Sequence, residues 1–178
     1  MTGPTGKELP QAQNTVWRLL KIRGRSEQEI IERLKRKDFS ESIITQTLGY
    51  FKELGFINDQ RFARDWINAR LNRPFGLSRI RYELKQKGLA PELIKDELSQ
   101  AAREHDELEI LRRLVRQRRS HYAGIEPAKA KQRLVGYLSR KGFSIGNIFK
   151  AIRELKFEIR NTKLETISKF ETRNSKRV

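Results

Sequence analysis

The stretch that decides the fold spans residues 54–89 and reads LGFINDQRFARDWINARLNRPFGLSRIRYELKQKGL. Gly55 follows a run of helix-forming residues, and a glycine there predicts the left-handed residue that closes a helix. Asn58 or Asp59 can then act as an N-cap, because a short side-chain oxygen accepts a backbone N–H left free at the start of a helix. The stretch therefore opens with one helix end and, directly after it, a new helix start.

The remainder of the stretch predicts two helices. The first has apolar residues at spacings of four and three, which is typical of a helix with one buried face. Its apolar stripe consists of Phe62, Trp66 and Ala69. The second helix begins after Gly76, places Ile80 and Leu84 one turn apart, and stops at Gly88 with the pattern that Gly55 also shows. We therefore expect this part of the chain to be helical and free of strands.

The same pattern occurs three times along the chain. A shift of 50 residues and a further shift of 54 place apolar positions on apolar positions and each predicted helix end on the next. The equivalent positions are Ile30, Ile80 and Leu134; Leu34, Leu84 and Leu138; Lys37, Lys87 and Lys141; Phe39, Leu89 and Phe143; Ile44, Ile94 and Ile148; and Leu48, Leu98 and Ile152. This period predicts three copies of a three-helix unit. A unit of that size buries little surface alone, so the copies should stack.

We predict an all-α protein, an elongated tandem array of three three-helix-bundle repeats. The expected boundaries are a flexible leader at 1–12, repeats at 13–57, 58–103 and 104–155, and a basic C-terminal extension at 156–178. The leader is expected because glycines and prolines are frequent as far as Pro10, and both residue types disfavour helix. The chain contains no cysteine, which excludes disulfides and thiolate chemistry.

The charge of the chain indicates an anionic partner, nucleic acid first. The 39 lysines and arginines exceed the 22 aspartates and glutamates, so the net charge is +17 at pH 7. Between Leu111 and Lys141 only one acid, Glu126, accompanies ten basic residues. Such an excess raises self-repulsion in a folded protein, so a negatively charged partner explains it better than solvation does. The leading contact candidates are Arg112, Arg113, Arg116, Arg118 and Arg119, followed by Arg79, Arg81, Lys131, Arg133, Arg140 and Lys141.

No catalytic or metal-binding constellation is evident in the sequence. The only histidines, His105 and His121, lie at opposite ends of one predicted helix, too far apart to share a metal ion. Glu104 and Asp106 flank His105 in sequence, so their side chains spread around the helix and do not converge. No segment approaches the ~18 apolar residues that a membrane span needs. We therefore predict a non-enzymatic, cytoplasmic protein that uses no cofactor.

Two linked blocks of the sequence resemble the central signature of the regulatory protein RecX family. The first block is Gly55, Phe56, Ile57, Asn58, Asp59, Arg61, Phe62 and Ala63, and the second is Gly76, Arg79, Ile80, Glu83, Leu84, Lys87 and Gly88. Leu77 and Ser78 depart from the pattern, because the family often has proline after the glycine of the second block. The departure concerns the local turn. The resemblance covers about residues 16–155 and implies tandem three-helix repeats.

The resemblance implies a modulator of the RecA recombinase. A protein of this family binds the helical RecA filament on DNA, lies along its groove and suppresses filament growth, ATP hydrolysis and strand exchange. We accordingly predict a monomer whose partners are the RecA filament and single- and double-stranded DNA without sequence specificity, with no membrane. The residues themselves leave a second interpretation open, a general helical DNA- or RNA-binding protein that acts without RecA. Only the two signature blocks favour the first.

Overall fold

The computed structural model describes residues 7–122 and 125–154 of the 178-residue chain. Over these residues the chain forms helices joined by turns, and none of the described residues lies in a strand. The predicted basic C-terminal extension at 156–178 lies outside the described residues. The described residues confirm the predicted all-α fold class.

The helices follow one another in three sets of three. The first set is α1 (Glu8–Ile22), α2 (Glu27–Lys35) and α3 (Glu41–Glu53), and the second is α4 (Asp59–Leu71), α5 (Leu77–Gln86) and α6 (Pro91–Glu104). The third set is α7 (Glu107–Arg118), α8 (Pro127–Arg140) and α9, which starts at residue 145 and is described to residue 154. A 3₁₀ turn, Arg119–Tyr122, follows α7. The predicted three-helix repeats are thus confirmed, and their elongated arrangement stays a prediction.

The first helix begins earlier than the sequence indicates. α1 starts at Glu8, so the predicted flexible leader at 1–12 is wrong for residues 8–12, and Ala12 is fully buried in the first core. Pro10 is the third residue of the helix, where a backbone N–H would have no partner within the helix. A proline in the first turn therefore removes no helical hydrogen bond.

Each repeat ends its second helix with the same backbone hydrogen bond. The residues in the left-handed conformation are Asp38 (φ 60°), Gly88 (φ 77°) and Gly142 (φ 84°). The residue after each of them donates its N–H to the carbonyl of a leucine five positions back, at 3.4 Å to Leu34, 3.3 Å to Leu84 and 3.3 Å to Leu138. This pairing satisfies a carbonyl that the helix end leaves free. The helix stops predicted from the repeat are confirmed in all three copies.

The repeat positions that predict burial form the cores. Of the six sets of equivalent positions, the five apolar ones are buried in all copies except at Phe39, which is partly buried. The described residues separate into two compact units. The first unit takes the described part of Met1–Arg73 with Ile80–Ala101, and the second takes Pro74–Arg79 with the described part of Ala102–Val178. The loop before α5 therefore belongs to the same unit as the third repeat.

The apolar stripe of α4 differs from the predicted one by a small rotation. Phe62 and Ile67 are buried, whereas Ala69 is exposed and Trp66 is half-buried at the edge of the core. The indole Nε1–H of Trp66 donates to Glu83 at 3.0 Å. A tryptophan has one polar atom that needs a partner, so it suits a position at the core boundary better than one in the centre.

Candidate nucleic-acid interface

The predicted contact residues differ in how far they are exposed. The exposed side chains are Arg79, Arg81, Arg113, Arg116, Lys131, Arg133 and Arg140, and the half-buried ones are Arg112, Arg118 and Lys141. Arg119 is the first residue of the 3₁₀ turn after α7. The structure therefore divides the candidates between a solvent-facing set and a set that packs within the protein.

Arg112 acts inside the third repeat. Its Nε lies 2.7 Å from Glu154 on α9, and its Nη1 lies 3.3 Å from Glu109 one turn earlier on α7. The hydrogen bond with Glu154 is the main cause that raises the pKa of Arg112, with Glu109 adding to it. Two carboxylates already balance this guanidinium, so its contacts hold α9 against α7. Arg112 is thus less suited to a ligand than its leading place among the candidates predicts.

Three of the predicted cations gather around two aromatic rings in the second unit. The guanidinium carbon of Arg79 lies 4.5 Å and the ammonium nitrogen of Lys141 lies 4.7 Å from the centre of the Phe75 ring. The guanidinium carbon of Arg118 lies 3.9 Å from the centre of the Tyr137 ring, and Lys141 lies 5.8 Å from the same ring. A ring face attracts a cation at these distances. We call these five residues the basic–aromatic cluster.

A close backbone contact brings the cluster together. The N–H of Gly76 donates to the carbonyl of Lys141 at 2.9 Å, and the N–H of Ser78 donates to the carbonyl of Gly142 at 3.2 Å. The free N–H groups at the start of α5 thus satisfy the free carbonyls at the end of α8. A Cβ on Gly76 would lie 2.2 Å from the Gly142 oxygen, so only glycine allows this approach. The contact sets Arg79 and Lys141 beside Phe75.

We call such a contact between the start of one helix and the end of another a junction, and the contact of α5 with α8 is the second junction. The first unit contains an equivalent junction, between the start of α2 and the end of α5, with a different charge pattern. The hydroxyl of Ser26, one repeat before Gly76, donates to the carbonyl of Lys87 at 2.7 Å. The ammonium group of Lys87 pairs with Glu29 at 2.7 Å, and Arg23 pairs with the same carboxylate at 2.8 Å. Lys87 is the repeat equivalent of Lys141. The lysine of this first junction is therefore neutralised within the chain.

The two junctions differ in charge at one equivalent position. The shift of 50 residues that relates the first two repeats places Glu29 on Arg79. Lys141 forms no ion pair with any residue that the structure describes, and its ammonium group rests on Phe75 and Tyr137 instead. The second junction also has a carboxylate, Glu107, which accepts the N–H of Leu77 at 3.3 Å. At the position of Glu29, however, it carries a further cation, Arg79. This accumulation of positive charge is typical of a site for an anion such as phosphate.

The one acid in the basic segment of residues 111–141 does not offset these charges through an ion pair. The Glu126 carboxylate accepts the N–H groups of Ala128 and Lys129 at 2.9 Å each and so caps the start of α8. These backbone hydrogen bonds lower the pKa of Glu126. Lys131 on the same helix lies 5.4 Å from the centre of the Phe149 ring on α9, a second contact between a cation and an aromatic face.

The Glu29 ion pairs make the stability of the fold depend on pH. Burial raises the pKa of Glu29, but hydrogen bonds from Arg23 and Lys87 outweigh it and lower the pKa from 4.5 to about 2. The ionised carboxylate therefore stabilises the fold above pH 4.5, and this stabilisation is lost as the pH falls toward 2. We expect the free energy of unfolding to drop by about 3 kcal/mol from this group over that interval.

Urea unfolding at a series of pH values, with Glu29→Gln as the reference, measures this contribution. The difference in unfolding free energy between the natural protein and Glu29→Gln should shrink as the pH falls from 4.5 to 2. Glu53→Gln serves as the control, since Glu53 is exposed and takes part in no ion pair within the described residues. A Glu29→Gln difference that stays constant across the interval would contradict the assignment.

Phe75 and Tyr137 are the members of the cluster that sequence reasoning missed. Phe75 lies in the loop between α4 and α5, and Tyr137 lies on α8, so no periodic pattern joins them. A signal was present in the repeat, because the residue equivalent to Glu29 is Arg79. Comparing charges between equivalent positions would have directed attention to the second junction.

The described residues form neither a metal site nor a membrane span. Within residues 7–122 and 125–154, no three histidines, aspartates or glutamates come together in a way that could hold a metal ion. In the same part of the chain, every helix is too short or too polar to cross a membrane.

The repeats define a class of all-helical proteins built from three three-helix domains. Residues 12–51 match the family described as RecX, first three-helix domain; residues 58–98 match RecX, second three-helix domain; and residues 105–152 match RecX, third three-helix domain. The chain belongs to the RecX family of regulatory proteins.

Relatives and solved structures agree with this membership. The regulatory protein RecX of Amycolatopsis mediterranei is 32% identical over 153 residues, which cover 85% of this chain and 86% of that protein. The regulatory protein RecX of Caldanaerobacter subterraneus is 30% identical over 145 residues, which cover 82% of this chain and 71% of that protein. The crystal structure of RecX from Lactobacillus salivarius, 21% identical, covers 86% of this chain and 99% of its own with a TM-score of 0.77, and supports the fold.

Proposed function

We propose that the protein regulates homologous recombination by binding RecA filaments on DNA. Bound there, it lowers ATP hydrolysis by RecA, filament growth and strand exchange. It makes and breaks no covalent bonds, uses no cofactor and acts as a monomer in the cytoplasm. The membership in a family of regulatory proteins supports this proposal, since all three RecX domains are present.

The observation that carries the DNA contact in this proposal is the basic–aromatic cluster, and the family membership carries the link to RecA. A filament on DNA presents phosphates, and a phosphate oxygen accepts hydrogen bonds from guanidinium and ammonium groups. Arg118 and Lys141 rest on aromatic faces, so their charged ends are held in position before a ligand arrives. Phosphate contacts of this kind position a protein on nucleic acid without reading its sequence. Binding to single- and double-stranded DNA without sequence specificity follows.

A titration of RecA ATPase activity tests the proposal. RecA filaments are formed on single-stranded DNA, the protein is added in increasing amounts, and ATP hydrolysis is followed. Hydrolysis should fall at substoichiometric amounts if the protein blocks growth at filament ends. Hydrolysis that stays constant up to an excess of the protein would refute the proposal.

A second candidate is a general DNA- or RNA-binding protein that acts without RecA. The cluster is compatible with this candidate as well, because cations held on aromatic faces can contact the phosphate backbone of any nucleic acid. A pull-down with purified RecA after nuclease treatment separates the two candidates. Retention of RecA supports the regulator, and loss of RecA together with retained DNA binding supports the second candidate.

A further inference from the structure

The first unit contains a cleft that the proposed DNA contacts do not use. Its volume is about 460 Å³, and it lies where α1, the turn after α3 and α4 come together. Its apolar lining is formed by Leu20, Phe56, Phe62, Trp66 and Ala69. Phe56 is 50% exposed although one edge packs on Trp17, with ring centres 4.8 Å apart. The cleft thus presents a fixed aromatic surface to the solvent.

Charged residues surround this apolar surface. Arg23, Arg25 and Arg61 line the cleft together with a single acid, Asp65, which lies 4.0 Å from Arg61. Arg23 already pairs with Glu29. Because Glu29 pairs with Arg23 and Asp65 pairs with Arg61, Arg25 is the cation that leaves the cleft with a net positive charge. A positive concave surface attracts a negatively charged ligand.

Arg25 indicates where that ligand would bind. Its Nε is buried and has no hydrogen-bond acceptor among the residues that the structure describes. Burial is the main cause that lowers the pKa of Arg25, and the neighbouring Arg23 lowers it further. A buried donor without an acceptor destabilises a protein, and a ligand that supplies an acceptor removes this cost. An acidic ligand would also relieve the repulsion between the two arginines.

We infer that this cleft binds an acidic segment of a protein partner, which inserts an aromatic or aliphatic side chain between its carboxylates. The apolar lining accepts the inserted side chain, and Arg25 and Arg61 meet the carboxylates. A peptide fits this mixture better than a nucleic acid strand does, because its backbone N–H groups can donate to Asp65. A phosphate backbone offers Asp65 only repulsion. The inference is independent of DNA binding by the second unit.

Fluorescence polarisation with the full chain tests the inference. The probe is a fluorescein-labelled peptide, Asp-Glu-Phe-Leu-Glu-Asp, and the control peptide has glycine in place of phenylalanine and leucine. We expect saturable binding of the probe and about tenfold weaker binding of the control, since the control lacks the apolar side chains. An unlabelled oligonucleotide that displaces the probe at stoichiometric amounts would overturn the assignment to a peptide, and absence of saturable binding would overturn the site.

Variants of the cleft make the test specific. Arg25→Ala should weaken probe binding about tenfold, because a charge-assisted hydrogen bond is lost. Arg25→Glu should additionally bind a peptide in which lysines replace the acids, a reversal that a merely damaged fold would not produce. Gly24→Leu provides an independent block, since a Cβ there lies 3.9 Å from Phe62 in ordinary contact and a longer side chain extends over the apolar lining.

The matched control is Lys37→Ala, which removes one positive charge from an exposed position of the first repeat away from the cleft. It should bind the probe like the natural protein. Circular dichroism of each variant verifies that the helices are intact. Equal losses in Lys37→Ala and Arg25→Ala would show a general charge effect and refute the site.

Discussion

Reversing two cations of the basic–aromatic cluster, with Arg118→Glu and Lys141→Glu together, should weaken DNA binding roughly 100-fold and abolish inhibition of RecA. Each substitution removes a cation held on an aromatic face and places a carboxylate near the phosphates. The loss should also appear in the dependence on salt, because each phosphate contact releases counterions. The slope of log affinity against log salt concentration should become shallower by about 1.8 for two contacts on duplex DNA.

The control for this prediction has the same change in net charge at another place. Arg18 and Lys37 are exposed in the first repeat, and Arg18→Glu with Lys37→Glu should leave the salt slope within error of the natural protein. Fluorescence anisotropy with a labelled oligonucleotide gives the affinities, and the RecA ATPase titration gives the inhibition. If both double variants lose affinity equally, net charge alone explains binding and the cluster is not the site.

Gly142→Ala should destabilise the second unit by roughly 2–5 kcal/mol. Two causes add at this position. Gly142 has φ +84°, a conformation that residues with a Cβ rarely adopt, and a Cβ there would lie 2.3 Å from the Cβ of Arg79. The variant must either move α5 away from the end of α8 or change the helix stop. Both changes separate Lys141 from Phe75, so DNA affinity should fall as well.

The two units can be followed separately in this experiment. Both tryptophans of the chain, Trp17 and Trp66, belong to the first unit, so tryptophan emission reports its unfolding. In urea, circular dichroism of Gly142→Ala should show an early loss of helix that the emission does not follow. Gly146→Ala is the control, because no atom of the described residues lies within 4 Å of a Cβ there. This variant should be neutral or stabilising by up to about 1 kcal/mol. Coincident early transitions by both signals would contradict a local effect.

The helical repeats could be predicted because the signals that specify them are local. Apolar spacing and the stops around Asp38, Gly88 and Gly142 are properties of short segments, and the structure places them as expected. The start of α1 was missed for a physical reason. Pro10 disfavours the interior of a helix but not its first turn, and the sequence does not say which turn a proline occupies until the helix start is known.

The candidate site could be predicted only in part. Composition identified the basic segment, but it does not distinguish a cation that binds a ligand from one that is already paired. Arg112 pairs with Glu154, which lies 42 residues later in the chain. Such a partner is brought close by packing and not by spacing along one helix. The same applies to Phe75, whose contacts with Arg79 and Lys141 depend on the backbone approach of Gly76 to Gly142.

The three left-handed helix stops differ in what surrounds them. A Cβ on Gly88 would lie 2.4 Å from the Cβ of Gln28, and one on Gly142 would lie 2.3 Å from the Cβ of Arg79. Asp38, in contrast, is exposed to solvent. Aspartate can adopt the left-handed backbone conformation at this position. Its side chain would clash, however, where the start of another helix packs closely against the stop. In this chain, glycine therefore marks the two helix stops that contact the start of another helix, and aspartate marks the stop that is exposed to solvent. The amino-acid sequence alone thus distinguishes a helix end that receives a neighbouring helix from one that faces water.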